Sequence, residues 1–311
     1  MLAFCYSMNS FFIRGMLLLG RVIALILFST VVQAEDCFNL VVAGHEHRTF
    51  WTDIINGAKK ASKELNIDIH YRGITRDSDE RHQQYAINYL FHHYQCRGLI
   101  VAPAGVSINE EVKALSKKGI PTIYIDKDIG GDRLSGIESD NYNAGVMAAK
   151  ELATALHGKG NNVALFRVKK GISSTDEREQ GFIQEAKKLG LNIVTDEYLG
   201  VTTGDARDQA LSIFRADPNI QGIFTPNDTT TIAVIKTLDQ LDLSVRPIHI
   251  GFDGSYYMKR MIGSKQLYGF IKQESYEMGY NAVYLLQKAV VGEIPESHMS
   301  VPVSFISEEN F

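Results

Sequence analysis

The segment "HEHRTFW", residues 45–51, places two histidines, a glutamate and an arginine directly after the apolar run "FNLVVAG". If the strand continues, His45 and His47 fall on one face, as two zinc ligands would. A zinc site needs a third or fourth ligand, and Glu46 would then point away from it. The segment therefore predicts no metal, and it leaves two interpretations open: a solvated loop, or the lip of a ligand pocket.

Polar side chains also follow three other apolar runs. The residues "DKD" (126–128) follow "PTIYI", "ND" (227–228) follow "GIFTP", and "DG" (253–254) follow "PIHIGF". In open parallel sheets, ligands bind at the carboxyl ends of the strands. These side chains should therefore gather on one edge of each half of the chain. Two such edges facing each other would form a cleft suited to a small ligand.

Motifs of catalysis are missing from the sequence. It contains no glycine-rich phosphate loop, no nucleophile elbow and no HExxH, and "HGKGNN" lacks the P-loop spacing. Aspartates spread over both halves suit a glycosidase in principle, but carboxylates also bind hydroxyl groups without catalysis. We predict that the chain is not an enzyme and uses no cofactor.

The charge and the N-terminus indicate where the protein works. The formal net charge of -4 gives no basic surface for nucleic acid, and no helix-turn-helix segment is present. Residues 1–34 contain the apolar stretch "MLLLGRVIALILFSTVVQA" with basic residues and end on small residues, so they predict a signal peptide cleaved after Ala34 and a periplasmic location. The alternative is an uncleaved membrane anchor; Met8 or Met16 is an alternative start.

From residue 38 onward, short β-branched runs alternate with amphipathic helical stretches. This alternation predicts parallel sheets, and the continuous apolar character of the strands predicts burial on both faces. The phrase "GAKKASKELNIDIHYRG" returns in the second half as "GFIQEAKKLGLNIVTDEY". A chain of 311 residues suits two lobes. The predicted fold is α/β, with two doubly wound parallel-sheet lobes.

Two cysteines remain after removal of the predicted signal peptide. Cys37 and Cys96 each directly precede a predicted strand, and the two strands should be parallel neighbours. Their starts would then lie at the same edge, opposite the cleft. In an oxidising compartment we predict a disulfide between them; the alternative is two buried or partly buried thiols.

Seven phrases occur in order along the chain: "FWTDIINGAKKA", "IPTIYIDKD", "IESDNYNAG", "EREQGF", "IFTPND", "HIGFDG" and "IKQ". In these phrases the sequence resembles the periplasmic ribose/galactose-type sugar-binding proteins, whose fold is shared with the sensor cores of sugar-responsive repressors. The resemblance implies two lobes joined by three crossovers that close on one small ligand. We assign residues 35–140 plus 274–302 to the N-terminal lobe and residues 141–273 plus 303–311 to the C-terminal lobe.

The resemblance also implies a set of ligand contacts. The predicted ligand-binding residues are Phe50, Trp51, Asp126, Lys127, Arg178, Asn227, Asp253 and Gln273. Aromatic rings suit the C–H faces of a sugar, and the planar polar groups suit its hydroxyls. The sequence departs from the family at Arg48 and Ala43, and the aromatic residue of the second lobe falls near Val201. We expect Asp228 to cap the following helix rather than to contact ligand.

The resemblance finally implies partners. The leading hypothesis is a monomeric periplasmic receptor that delivers a small sugar to the membrane permease of an ABC transporter. The alternative is a receptor that presents the ligand-bound, closed shape to a membrane sensor or chemoreceptor. Both depend on a ligand that stabilises closure and a partner that recognises the closed surface.

Overall fold

The computed structural model describes residues 35–76, 79–216, 219–241 and 243–311. The predicted signal peptide, residues 1–34, lies outside these ranges. Within the ranges, no helix combines the length and the apolar character needed to cross a membrane.

The described residues form two six-stranded sheets. The strands are β1 (Glu35–Val41), β2 (Asp68–Arg72), β3 (Cys96–Val101), β4 (Thr122–Ile125), β5 (Ser135–Ser139), β6 (Asn162–Arg167), β7 (Asn192–Tyr198), β8 (Gly222–Phe224), β9 (Ile248–Phe252), β10 (Gly269–Gln273), β11 (His298–Val301) and β12 (Val303–Ser307). The first sheet has the order β11-β5-β4-β3-β1-β2, and the second has the order β12-β10-β9-β8-β6-β7. Pairs β1–β2, β3–β4, β4–β5 and β5–β11 are parallel in the first sheet, as are β6–β7, β6–β8, β8–β9 and β9–β10 in the second. At the edge of the second sheet, β12 runs antiparallel to β10. The predicted fold of two parallel-sheet lobes is confirmed.

Helices cover these sheets. In the described ranges they are α1 (Thr49–Leu65), α2 (Glu80–His93), α3 (Ile108–Ser116), α4 (Asn141–Ala155), α5 (Ser173–Lys188), α6 (Thr203–Ala216), α7 (Asp228–Leu241), α8 (Tyr256–Gly263) and α9 (Ser275–Val290). Successive strand residues point to opposite faces of a sheet. Leu40 and Val41, neighbours on β1, belong to two different hydrophobic clusters, and so do Leu165 and Phe166 on β6. Both sheets are therefore buried on both faces, as the continuous apolar runs predict.

A reciprocal glycine contact brings α4 and α5 unusually close together. A Cβ atom on Gly145 would lie 1.9 Å from the carbonyl oxygen of Arg178, and one on Gly181 would lie 2.0 Å from that of Tyr142. No side chain fits in such a gap, so only glycine permits this approach of the two backbones. The contact fixes the turn of α5 that carries the Arg178 side chain.

The chain passes between the two sheets three times. Asp140 separates β5 from α4, Glu274 separates β10 from α9, and Pro302 separates β11 from β12. Each link is a single residue, so each crossover is short. The three crossovers implied by the family resemblance are therefore present.

Cys37 and Cys96 form a disulfide, as predicted. Their Cα atoms are 4.8 Å apart, and both residues are buried at the amino ends of β1 and β3. The side chain of His70 lies close to both sulfur atoms. Because the two sulfurs are bonded to each other, they are not available as thiolate ligands for a metal.

Candidate functional site

A cleft of about 690 Å³ is lined by residues that follow strands of both sheets. All eight residues predicted to bind ligand line it: Phe50, Trp51, Asp126, Lys127, Arg178, Asn227, Asp253 and Gln273. Most of them stand at the carboxyl end of a strand or at the helix start that follows it. The structure therefore brings all eight predicted residues together. That these residues contact a ligand stays a prediction.

Asp126 and Asp253 occupy equivalent places in the two lobes. Asp126 directly follows β4 and has a φ of 68°, and Asp253 directly follows β9 and has a φ of 81°. The backbone N–H of Asp126 donates to the carbonyl of Ile137 at 2.8 Å, and that of Asp253 donates to the carbonyl of Ile271 at 2.9 Å. Left-handed backbone is costly for residues other than glycine, and such strain concentrates at binding sites. The strained turns hold one carboxylate from each lobe at the cleft.

The Asp253 carboxylate is positioned through both oxygen atoms. Its Oδ1 accepts from Nε2 of Gln273 at 2.5 Å, and its Oδ2 accepts from the backbone N–H of Asp228 at 3.0 Å. A carboxylate has about four lone-pair directions, so two remain for a ligand. The side chain is therefore oriented by the protein and keeps acceptor capacity.

Arg178 is buried, with 4% of its surface exposed, and its guanidinium is held on three sides. Its Nε donates to Asn141 at 2.9 Å, its Nη1 to the carbonyl of Pro226 at 2.9 Å, and its Nη2 to Oε1 of Gln273 at 3.1 Å. The guanidinium carbon also lies 3.7 Å from the centre of the Phe252 ring. Three of five N–H groups are used, which leaves two for a ligand.

The charge of Arg178 is maintained by acidic neighbours. Burial lowers the pKa of its guanidinium, while the charges of Asp253 and Asp126 act in the opposite direction. An arginine remains protonated in proteins even when its pKa is lowered. The cleft lining therefore includes a positive donor that is close enough to both aspartates to feel their charge.

Phe50 and Trp51 lie at the start of α1 and contact each other. Their ring centres are 4.8 Å apart in an edge-to-face arrangement. Trp51 is 8% exposed and belongs to the hydrophobic core of the first lobe, whereas Phe50 is partly buried against that core. Both line the cleft, and Trp51 does so with a small part of its surface.

In the "ND" pair, Asn227 rather than Asp228 caps the helix that follows. Oδ1 of Asn227 accepts from the backbone N–H of Thr230 at 3.0 Å and from its hydroxyl at 2.7 Å, so Asn227 caps α7. The expectation that Asp228 is the cap is therefore wrong. Asp228 is the first residue of α7 and lines the cleft. Burial and, to a lesser extent, the charge of Asp253 raise its pKa to about 6, against a hydrogen bond with Ser255 and the charge of Arg48, which lower it.

The "HEHRTFW" segment divides into two parts. His47 and Arg48 line the cleft, so the second part is its lip. Glu46 belongs to a turn instead: its Oε2 accepts from the backbone N–H of Gly73 at 2.7 Å, and its carbonyl accepts from the Thr52 hydroxyl at 2.8 Å. The solvated-loop and pocket-lip interpretations each describe one part of the segment.

Sequence reasoning missed several residues of the second-lobe wall. Tyr256 and Tyr257 begin α8 and line the cleft, and 74% of the surface of Tyr256 is exposed. Val201, where the resemblance places the second-lobe aromatic, is exposed and is not among the residues of the cleft wall. The usable signal was "DGSYY": two aromatics at a helix start that directly follows a strand-end aspartate.

The family of the chain follows from comparison with known proteins. A family model described as a periplasmic binding protein domain matches residues 38–294. The chain belongs to the periplasmic binding protein family. A periplasmic binding protein captures a solute without transforming it, in agreement with the prediction that the chain is not an enzyme.

Individual relatives support this membership. The chain is 23% identical to the D-allose-binding periplasmic protein of Escherichia coli over 87% of its own length and 89% of that protein. It is 28% identical to a D-apiose import binding protein of Actinobacillus succinogenes over 75% of each chain. It superposes with a TM-score of 0.77 and 29% identity on the periplasmic component of an ABC-type sugar transport system from Hahella chejuensis, covering 88% of this chain and all of the other.

This periplasmic binding protein departs from the family pattern at the first-lobe lip. Arg48 precedes α1 where the resemblance leads us to expect asparagine, and Lys127 replaces arginine after Asp126. The pKa of Glu80 is lowered chiefly by a hydrogen bond with Ser107. The charge of Lys127 lowers it further, so Lys127 lies near Glu80. Arg48 and Lys127 therefore line the cleft beside Asp126 of the same lobe, and Asp228 and Asp253 line it from the second lobe.

Proposed function

We propose that the cleft binds one small sugar or sugar-like ligand and that the loaded protein delivers it to the membrane permease of an ABC transporter. The observation that carries this proposal is the convergence of paired aspartates, a buried arginine, a glutamine and an aromatic pair on one cleft between two lobes. The names of the relatives, which include D-allose- and D-apiose-binding proteins of import systems, support the same class of ligand.

The polar groups match the chemistry of a polyhydroxylated ring. Each sugar hydroxyl donates one hydrogen bond and accepts others, and Asp126 and Asp253 supply acceptors while Arg178 supplies donors. Bonds to charged groups are stronger than neutral ones. A site that pairs each hydroxyl rejects analogues that lack one, because its own groups then stay unpaired.

The lobe boundaries that we propose are residues 35–140 plus 274–302 for the first lobe and 141–273 plus 303–311 for the second. The strand content of the two sheets and the three one-residue links support this division. Short parallel links permit a hinge motion in which the lobes close on the ligand. We further propose export by cleavage after Ala34, and action as a monomer without nucleic acid.

Calorimetric titration of the mature protein with D-allose, D-apiose and D-ribose tests the ligand class. Saturable binding of one of them by the wild type is expected, with a loss of one to two decades of affinity in Asp253→Ala and in Arg178→Ala. Asp208→Ala, at an exposed position on α6, serves as the control. Unchanged affinity in both cleft variants would show that the site is elsewhere.

A further inference from the structure

Asp228 is a cleft residue that the family resemblance does not assign to the ligand. Its backbone N–H donates to Oδ2 of Asp253 at 3.0 Å, so the two residues stand side by side on the second-lobe wall. The Oδ1 atom of Asp228 is buried and accepts no hydrogen bond from any described residue. A buried acceptor without a donor costs free energy and is rare in native structures unless it has a role.

A purely structural role accounts poorly for this carboxylate. The helix that it begins is already capped by Asn227, whose Oδ1 accepts from the backbone N–H of Thr230. Burial and the neighbouring charge of Asp253 oppose ionisation of Asp228, and only Ser255 and Arg48 favour it. Asparagine would remove that repulsion at no evident loss to the fold.

Arg48 acts on Asp228 from the other lobe. It precedes α1 and lines the cleft, whereas Asp228 begins α7. Both residues line the cleft, and the charge of Arg48 favours the ionised form of the aspartate. An ionised carboxylate is an acceptor only, so its natural ligand partner is a hydrogen-bond donor.

We propose that Asp228 is a specificity-determining ligand contact that accepts a hydrogen bond from the hydroxyl next to the one bound by Asp253. The second lobe then recognises two neighbouring hydroxyl groups of the ligand, one with each carboxylate. The inference rests on the proposed function, because it assigns a further contact to the same sugar site. It adds a requirement that does not follow from the ligand contacts implied by the resemblance. The ligand must present two neighbouring hydroxyl groups to the side of the cleft formed by α7 and α8.

Calorimetry on the mature protein with D-allose, D-apiose and D-ribose tests this contact. Asp228→Asn should bind the sugar at least tenfold more weakly than the wild type, whereas Asp208→Asn, the same change at an exposed site, should leave affinity unaltered. Monodeoxy analogues of the sugar that binds locate the hydroxyl. One analogue should bind the wild type more weakly than the parent sugar does. The variant Asp228→Asn should bind the same analogue with an affinity no lower than its affinity for the parent sugar. Affinity of Asp228→Asn within twofold of the wild type, or no analogue with this behaviour, would overturn the proposal.

Thermal unfolding without sugar separates this inference from the function on which it rests. A ligand contact kept against repulsion predicts that Asp228→Asn unfolds at the same temperature as the wild type or a higher one at pH 7. A lower unfolding temperature would show that Asp228 serves the fold, and it would overturn the proposal. If the wild type binds none of the three sugars, the proposed function fails, and the unfolding temperature alone then decides the role of Asp228.

Discussion

The hydroxyl group of Ser139 donates a hydrogen bond to Oε1 of Gln273 at 2.8 Å and so joins the ends of two crossover strands. The same oxygen accepts from Arg178, and the amide nitrogen of Gln273 donates to Asp253. One glutamine therefore connects the hinge to two predicted ligand residues. A single buried side chain therefore links the ends of two crossover strands to the cleft.

Replacing Gln273 should weaken binding more than the loss of one contact would. Gln273→Leu keeps the approximate volume but removes the bonds that hold Asp253 and Arg178, and a bond to a charged group is worth roughly 1.5–3 kcal/mol. We expect at least a tenfold loss of affinity by calorimetry. Ser139→Ala removes only the bond between the crossovers and should change affinity by less than about threefold, or roughly 0.6 kcal/mol. Equal effects of the two substitutions would show that the bonds from Gln273 to Asp253 and Arg178 do not contribute to binding.

The strained turn at Asp126 predicts different stabilities for two variants that both lose affinity for the ligand. Asp126→Gly and Asp126→Ala both remove the carboxylate, but only glycine adopts a φ of 68° without strain. Without ligand, the glycine variant should therefore be more stable than the alanine variant by about 1 kcal/mol. Denaturant unfolding measures the difference, and calorimetry should find sugar affinity reduced in both. Equal stability of the two variants would show that the turn carries no strain.

Glu179 should make stability depend on pH. Its side chain is fully buried with Oε2 3.0 Å from Arg167, and burial raises its pKa from 4.5 to about 7 despite that partner. The folded state then retains a proton that the unfolded state releases. The stabilising contribution is therefore complete below pH 4.5 and is lost as pH rises towards 7, by up to roughly 3 kcal/mol.

The comparison that checks this dependence uses two substitutions on the same helix. Glu179→Gln should flatten the fall in unfolding free energy between pH 4.5 and 7, whereas Glu177→Gln, at an exposed position, should leave it as in the wild type. Denaturant unfolding at several pH values gives both curves. An unaltered slope in Glu179→Gln would place the origin of the pH dependence in another group.

Fluorescence of Trp51 should report ligand binding weakly. It is the only tryptophan of the chain, and its 8% exposure limits how much its contact with water can change on closure. We expect a small, saturable emission change with the bound sugar, unaffected by EDTA and absent in Asp253→Ala. Binding detected by calorimetry with silent fluorescence would remove Trp51 from the ligand contacts and leave Phe50 as the aromatic contact.

Reduction of the disulfide should affect stability and not binding. Cys37 and Cys96 close a loop of 59 residues, for which the chain-entropy model gives roughly 4 kcal/mol. The bond lies at the amino ends of its strands, and the cleft is at their carboxyl ends. The double variant Cys37→Ser, Cys96→Ser should unfold at lower denaturant concentration but bind sugar with wild-type affinity. A large loss of affinity would link the two ends of the lobe.

Regular features of the fold were accessible from the sequence because they depend on periodicity. Buried strands such as β3 and β4 appear as continuous apolar runs, and the disulfide followed from two cysteines that each precede such a run. Because ligands bind at the carboxyl ends of parallel strands, the sequence alone predicted that Asp126 and Asp253 lie at the cleft.

Details of turns were not accessible in the same way. Whether Asn227 or Asp228 caps α7 depends on which residue keeps a non-helical backbone, and periodicity does not contain that information. The tyrosines at the start of α8 were not predicted to line the cleft. Only the position of this helix in the folded protein shows that its first side chains lie there. The positive φ of the two aspartates was invisible for the same reason, since glycine is the usual sign of such a turn.

The antiparallel edge strand has a consequence for synthesis and for engineering. β12 belongs to the second sheet, yet it comes after every strand of the first sheet in the chain. The second sheet therefore cannot be completed until residues 303–307 are available, after every strand of the first sheet has been made. A stop codon after Pro302 would leave β10 as an open edge, a row of unpaired backbone groups to which another polypeptide can add.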